Sequence, residues 1–123
     1  PEDHVTPRVL TDSLSYWDGT VEAETFANAL PILGVDGSLA EIGTDSPAAG
    51  RVSGKTGTVA GLDYVNDRIF LTAQTLAGYI DTVDERRLAY SLFMNRAGIE
   101  DFDELLDVIN QLGELAAIIQ QNC

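Results

Sequence analysis

The sequence predicts an α+β fold, in which a small antiparallel sheet packs against a long carboxyl-terminal helix. Near the end of the chain, apolar residues recur every three or four positions, which is typical of an amphipathic helix. The middle of the chain is rich in β-branched and aromatic residues. The short stretch 83–86 between two such runs favours antiparallel pairing.

The first 50 residues are expected to form helices and a loop. Thr6 is a suitable N-cap and Pro7 suits the first helical position, where its missing N–H costs nothing, so a helix should run to about Trp17. A second short helix is predicted over 22–30, and Pro31 should close it. Gly, Ser, Asp and Pro at short intervals predict a loop over 34–50, with at most one turn around 38–42.

Residues 51–123 are expected to supply the sheet and the terminal helix, so that 1–123 form a single domain. Strands are predicted near 51–59, within 69–82 as one or two strands, and over 87–95, with 61–68 as an exposed excursion. The helix should span about 101–121, with acidic residues in its first turn. Its predicted core-facing stripe is Phe102, Leu105, Leu106, Ile109, Leu112, Leu115, Ala116 and Ile119.

The composition excludes several kinds of partner. With 20 acidic against 7 basic residues the formal charge is −13, which disfavours nucleic acids and anionic membrane surfaces. No apolar run approaches the ~20 residues that span a bilayer, so membrane insertion is not expected. No His/Cys cluster has metal-ligand spacing. Cys123 is the single cysteine, so it has no partner for a disulfide within the sequence.

The chain has one lysine, and it lies in the tetrapeptide formed by Lys55, Thr56, Gly57 and Thr58 on a predicted strand. The strand is preceded by the run 30–40 and followed by the runs 76–80 and 87–95 and then by the helix. This succession resembles the carboxyl-terminal part of the D-alanyl-D-alanine carboxypeptidases of the class C low-molecular-mass penicillin-binding proteins, members of the serine β-lactamase superfamily. The resemblance covers roughly 5–95 and implies part of a β-lactamase/transpeptidase-like fold.

Two motifs of that family are absent from the sequence. The family's nucleophile is the serine of S-x-x-K, but the residue three before Lys55 is Val52. No serine is followed two residues later by asparagine, and the Y-x-N match at Tyr64 lies after the K-T-G strand rather than before it. We therefore expect a fragment whose missing motifs lie upstream of Pro1. It carries no catalytic nucleophile and should be inactive alone.

The resemblance implies substrate-binding roles for the tetrapeptide. Lys55 and Thr58 are expected to hold the terminal carboxylate of a peptide by charge-assisted hydrogen bonds, with Thr56 on the opposite sheet face. Gly57, lacking a side chain, lets a substrate strand approach the backbone. The N–H of Thr58 corresponds to the family's oxyanion-hole donor on this strand. The nearby turn of Asp36, Gly37 and Ser38 is a candidate wall of the site.

Two other functions remain open at this stage. Gly54-Lys55-Thr56 also matches the end of a phosphate-binding loop, although the first glycine of that motif should be at Ala49 and a helix should follow. A non-catalytic interaction module with the same fold is the other alternative. His4, the only histidine, has no nucleophilic partner nearby in sequence and is expected to be an ordinary surface residue.

The resemblance also sets expectations for the parent protein. It should be an exported serine-type carboxypeptidase of the periplasm or cell envelope that acts on peptidoglycan stem peptides and is acylated by penicillins. The expected partners are therefore a peptidoglycan peptide or a β-lactam, and no cofactor is implied. Loss of the helical part of the domain should uncover apolar surface, which favours self-association of the fragment.

Overall fold

The computed structural model describes residues 4–123. Along the chain it places helices α1 (Pro7–Asp18) and α2 (Ala23–Ala27), a 3₁₀ turn (Gly37–Leu39), strands β1 (Val52–Asp63), β2 (Arg68–Asp81) and β3 (Arg87–Ile99), and helix α3 (Phe102–Asn122). The strands form one antiparallel sheet in the order β1-β2-β3. The predicted α+β class, with its three strands, terminal helix and short amino-terminal helices, is confirmed.

Local signals begin both long helices as the sequence indicates. The Thr6 hydroxyl accepts a hydrogen bond from the Val9 N–H at 3.3 Å, with Pro7 in the first turn of α1. Asp101 caps α3 by accepting the Glu104 N–H at 3.0 Å. In the described part of the chain, no helix is long and apolar enough to cross a membrane.

The hairpin formed by β1 and β2 is longer than predicted. The prediction of an exposed excursion over 61–68 was wrong for its first part, because Gly61 and Leu62 pair with Phe70 and Ile69 as a continuation of β1. Only the four-residue turn 64–67 separates the two strands. Cross-strand pairing thus overrides the weak strand preference of the glycine and aspartate in this stretch.

A β-bulge interrupts the regular pairing of β1 with β2. Val59 pairs with Ala73 and Ala60 with Leu71, so Thr72 is an extra residue in β2. Because side chains alternate between faces, this insertion lets Leu71 face the same side as Leu76, and both are fully buried. The bulge explains why the apolar pattern of 69–82 suggested either one strand or two.

Helix α3 covers one face of the sheet with a different stripe from the predicted one. Leu105, Leu112 and Ala116 are buried as expected, but Leu115 is 47% and Phe102 62% exposed. The helix turns its smaller residues toward the sheet and the loop, which lets it approach closely. The buried positions are Leu105, Val108, Leu112, Gly113, Ala116, Ala117 and Gln120.

The other face of the sheet is covered by α1 together with α2. The Tyr79 hydroxyl of β2 donates a 2.7 Å hydrogen bond to the Leu14 carbonyl of α1. Trp17 stacks on Phe26 with ring centroids 5.3 Å apart, which joins α1 to α2. The sheet is therefore a middle layer between helices, and β1 is one of its edges.

Candidate functional site

The outer edge of β1 is covered only over its first residues. The Leu33 N–H donates to the Val52 carbonyl and the Gly54 N–H donates to the Pro31 carbonyl, each at 2.9 Å. These bonds show that the backbone polar groups of Val52 and Gly54 point away from β2. The covering segment 31–33 makes no further ladder bond beyond Gly54 in the described chain.

Beyond that cover, the edge of β1 lies open. Residues two apart in a strand direct their N–H and C=O groups the same way, so Thr56 and Thr58 also present theirs outward. The regular register of β1 with β2 extends past Thr58 to Val59. The outward carbonyl of Thr56 accepts a 2.7 Å hydrogen bond from the Lys55 ammonium. The edge therefore offers a backbone N–H at Thr58 close to a cation.

Lys55 is exposed and has no carboxylate partner among residues 4–123. The ion pairs in this part of the protein are all made by arginines. On the α1 side of the sheet, Lys55 borders a mainly apolar groove that is also lined by Leu10, Leu14 and Trp17. The ammonium thus lies between an apolar groove and an open strand edge, where a carboxylate can reach it.

The two threonines lie on the other face of the sheet, which corrects one prediction. We expected Thr56 to face away from both Lys55 and Thr58, but side chains two residues apart share a face. The Thr56 hydroxyl donates to Ser38 Oγ at 3.2 Å, and the Thr58 hydroxyl donates to Gln74 Oε1 at 2.7 Å. A ligand at the edge is therefore flanked by Lys55 from one face and by both threonines from the other.

Gly57 is required by its close approach to β2. A Cβ at this position would lie 2.6 Å from the Thr75 hydroxyl oxygen. That hydroxyl donates to the Gly57 carbonyl at 3.4 Å, so Thr75 takes the space that a side chain would fill. Packing within the sheet therefore accounts for this glycine, whatever ligand the edge binds.

A tight turn places Ser38 beside Thr56. Asp36 Oδ1 accepts the Ile32 N–H at 2.7 Å and holds the turn against the covering segment. Gly37 has φ +57°, and an added Cβ would lie 3.0 Å from Pro31, so glycine fits both the backbone and the space. The structure brings Ser38 to the K-T-G strand, and its role as a wall of the site stays a prediction.

Beneath the strand, the Tyr90 side chain reaches Gly54. A Cβ on Gly54 would lie 2.5 Å from the Tyr90 hydroxyl oxygen, and that buried hydroxyl has no hydrogen-bond partner among the described residues. Desolvation by burial raises the pKa of Tyr90 well above its ordinary value. The phenol is therefore neutral at physiological pH and adds no charge to the site.

The geometry does not fit a phosphate-binding loop. Such a loop must lead into a helix whose N-terminal amides hold the anion. Here Lys55 lies inside β1, which continues to Asp63 and turns into β2. Nor does the groove offer an activated serine, because the Ser13 hydroxyl donates to the Val9 carbonyl within α1 at 2.8 Å.

Comparison with known proteins gives one family. The model of the D-Ala-D-Ala carboxypeptidase 3 (S13) family matches residues 1–118. The chain belongs to this family. No curated protein matches it closely. Membership in the S13 family confirms the resemblance to D-alanyl-D-alanine carboxypeptidases and assigns the chain to a family of peptidases with carboxypeptidase-type function.

Sequence reasoning did not place two β2 residues, Gln74 and Thr75, beside the K-T-G strand. Counting back from the turn 64–67 pairs Thr58 with Ala73, whereas the extra residue Thr72 shifts the partner to Gln74. A one-residue shift moves every side chain to the other face. Neither residue could be placed beside the motif without knowledge of that bulge.

Proposed function

We propose that this chain forms the carboxylate-binding edge of a serine-type D-alanyl-D-alanine carboxypeptidase. Its ligands are the D-alanyl-D-alanine ends of peptidoglycan stem peptides and the penicillins that resemble them. Family membership supports the reaction class. The dual carboxypeptidase and endopeptidase character of the class C group is part of the same proposal.

One observation carries the proposal: the only lysine in the sequence lies beside an open strand edge and has no carboxylate partner within residues 4–123. A carboxylate accepts hydrogen bonds only, and an ammonium with neighbouring N–H groups satisfies it. The outward N–H of Thr58 then suits a scissile carbonyl oxygen whose negative charge develops during acyl transfer. Lys55 thus holds the end of the peptide while the backbone of β1 aligns the bond to be cut.

The nucleophile is proposed to come from outside these 123 residues, as part of a larger transpeptidase-like domain. The sequence has no S-x-x-K motif, and Ser13, which lines the groove beside Lys55, donates its hydroxyl proton to the Val9 carbonyl. The proposed parent is exported and works in the periplasm or cell envelope, where peptidoglycan lies. A non-catalytic module remains the alternative, and penicillin acylation of the parent protein distinguishes the two.

Binding of N-acetyl-D-alanyl-D-alanine to this chain tests the carboxylate site directly. We expect amide signals of β1 in a ¹H–¹⁵N NMR spectrum to shift on titration, and Lys55→Met to weaken binding about tenfold or more, as expected for a lost charge-assisted hydrogen bond. The same dipeptide with a carboxamide end should bind no better to the native chain than to the variant.

Arg86→Met is the matched control for that experiment. It removes the same unit of charge from the exposed β2–β3 turn, where Arg86 pairs with Asp84 at 2.8 Å. Equal weakening by Arg86→Met and Lys55→Met would show a general charge effect and contradict the proposed site. Absence of binding to the native chain would contradict the carboxylate-binding function itself.

Covalent labelling tests the missing nucleophile. We expect no stable adduct between this chain and a fluorescent penicillin, because the sequence lacks the S-x-x-K motif that supplies the nucleophile in the family. A labelled band that resists denaturation would show that the chain contains its own nucleophile and would overturn that part of the proposal.

A further inference from the structure

Gln74 is an unusual residue to find beneath the carboxylate site. It lies in β2 directly opposite Thr58, and its side chain is fully buried. Its Oε1 atom accepts a 2.7 Å hydrogen bond from the Thr58 hydroxyl, while its Nε2 atom has no partner among the described residues. Buried amide N–H groups without partners are rare, because each loses its bonds to water.

The two orientations of this amide have opposite effects on Thr58. With Oε1 toward Thr58, the hydroxyl proton is used within the protein and both N–H groups of Gln74 are unsatisfied. If the amide turns over, Nε2 donates to the hydroxyl oxygen of Thr58 and leaves the hydroxyl proton free. Before the exchange, both N–H groups of Gln74 lack partners. After it, one N–H and the carbonyl oxygen lack partners, and proteins tolerate an unsatisfied carbonyl oxygen somewhat better than an unsatisfied N–H.

We propose that Gln74 is a positioning residue that turns the Thr58 hydroxyl into a donor toward the ligand carboxylate. This inference rests on the proposed function. A carboxylate has no proton to give, so Thr58 can bind it only by donating its own. With the amide turned over, a chain of two hydrogen bonds runs from Gln74 Nε2 to the Thr58 oxygen and from the Thr58 proton to the ligand.

A double-mutant cycle tests the chain of hydrogen bonds. Gln74→Met keeps the length of the side chain without its polar atoms, and Thr58→Val removes the hydroxyl with little change in shape. We expect each change alone to weaken N-acetyl-D-alanyl-D-alanine binding about 3- to 10-fold. The double variant should bind no more weakly than Thr58→Val, because Gln74 acts only through that hydroxyl.

Gln120→Met is the matched control for the buried glutamine. Gln120 is also buried, and its Nε2 donates to the Asp81 carbonyl at 3.2 Å. Asp81 is seven residues along β2 from Gln74, or roughly 23 Å at a strand's rise per residue. This variant should bind the dipeptide as the native chain does, even if its stability falls.

The outcomes separate this inference from the proposed function. If Lys55→Met weakens binding but Gln74→Met does not, Gln74 has no positioning role and the carboxylate site stands. If Gln74→Met still weakens binding in the Thr58→Val background, Gln74 acts by another route and the inference is wrong. If the native chain does not bind the dipeptide, the inference and the proposed function both fail.

A measurement on the native chain covers the case in which Gln74→Met does not fold. The side-chain amide of Gln74 gives two proton signals in the ¹H–¹⁵N spectrum, identified by their loss in Gln74→Glu. Dipeptide binding should shift these signals in the native chain but not in Thr58→Val. Signals that stay fixed while those of β1 move would contradict the proposal.

Discussion

At the scale of single residues, two buried tyrosines differ in the bonding of their hydroxyl groups. Tyr79 donates to the Leu14 carbonyl at 2.7 Å, whereas the Tyr90 hydroxyl has no partner within residues 4–123. The exposed fractions are only 3% for Tyr79 and 6% for Tyr90. Both side chains are thus shielded from solvent, and their hydroxyl groups differ in hydrogen bonding.

Replacing each tyrosine by phenylalanine should therefore have opposite effects. Tyr79→Phe removes the hydrogen bond from the Tyr79 hydroxyl to the Leu14 carbonyl, so the free energy of unfolding should fall by about 1 kcal/mol. Tyr90→Phe removes an unsatisfied hydroxyl, so the free energy of unfolding should rise by about 1 kcal/mol. Urea unfolding of the two variants measures both, and equal losses would contradict the assigned bonding.

The raised pKa of Tyr90 predicts how stability changes at alkaline pH. Burial raises the pKa of its phenol in the folded state, while the unfolded phenol ionises near pH 10. Below about pH 10 its contribution is constant. Above that value the unfolded state releases a proton that the folded state keeps, so the free energy of unfolding falls by about 1.4 kcal/mol per pH unit.

Urea unfolding between about pH 9 and pH 11 measures this slope. The pKa of Tyr79 is also raised, by desolvation and by the nearby charge of Asp18, so both tyrosines contribute. Tyr90→Phe should make the decline shallower without abolishing it. An unchanged slope in Tyr90→Phe would show that Tyr90 does not keep its proton on folding.

At the scale of elements, α3 shows the importance of small residues in a helix face. An added Cβ on Gly113 would lie 2.5 Å from Ile42 Cγ2, and Ile42 is buried. The helix axis can approach the loop only because this position has no side chain. Helix propensity alone would favour alanine by about 1 kcal/mol, so packing and propensity oppose each other here.

We predict that packing has the larger effect. Gly113→Ala should lower the free energy of unfolding by about 1 kcal/mol, since overpacking typically costs 1–3 kcal/mol. Gly61→Ala is the control, because an added Cβ there meets nothing within 4 Å. It should leave stability unchanged or slightly higher. Thermal unfolding followed by circular dichroism compares the two, and a stabilised Gly113→Ala would contradict the close contact.

These elements also show how far the sequence predicts the structure. The start of α1 follows from capping by Thr6 and was predicted correctly. The start of α3 near 101 was predicted from the acidic residues of its first turn, and Asp101 proves to be its cap. The buried face of α3 was not predicted correctly, because hydropathy favours Leu115 over Gly113, whereas close packing favours the smaller residue. The place of Lys55 on a strand was predicted, but Gln74 depends on a bulge that only pairing reveals.

At the scale of the whole molecule, the open edge of β1 favours self-association, whereas the net negative charge opposes it. Beyond the site, β1 exposes Val59 by 51% and Leu62 by 63% beside an edge that no other strand covers in the described chain. Such edges pair readily with a second copy. The formal charge of −13 opposes this, and salt screens charges beyond about 10 Å at 0.1 M.

We therefore predict weak self-association that increases with salt. Sedimentation velocity at about 0.05 M and 0.5 M NaCl, at one protein concentration, should show a larger dimer fraction at the higher salt concentration. Val59→Lys should reduce that fraction, since a lysine on an edge strand disfavours pairing. Val21→Lys, at a fully exposed position outside the sheet, makes the same charge change and should have less effect. A monomer under every condition would contradict the prediction.

The covering segment 31–33 limits how far an added strand can run along β1. An extended peptide that joins this edge antiparallel runs, in its own direction, from Thr58 toward Gly54. Gly54 already gives its N–H to Pro31 at 2.9 Å, so no ladder remains for the peptide past Thr56. We therefore expect a peptide added at this edge to end near Thr56, so that the edge binds the carboxyl-terminal end of a peptide rather than its interior.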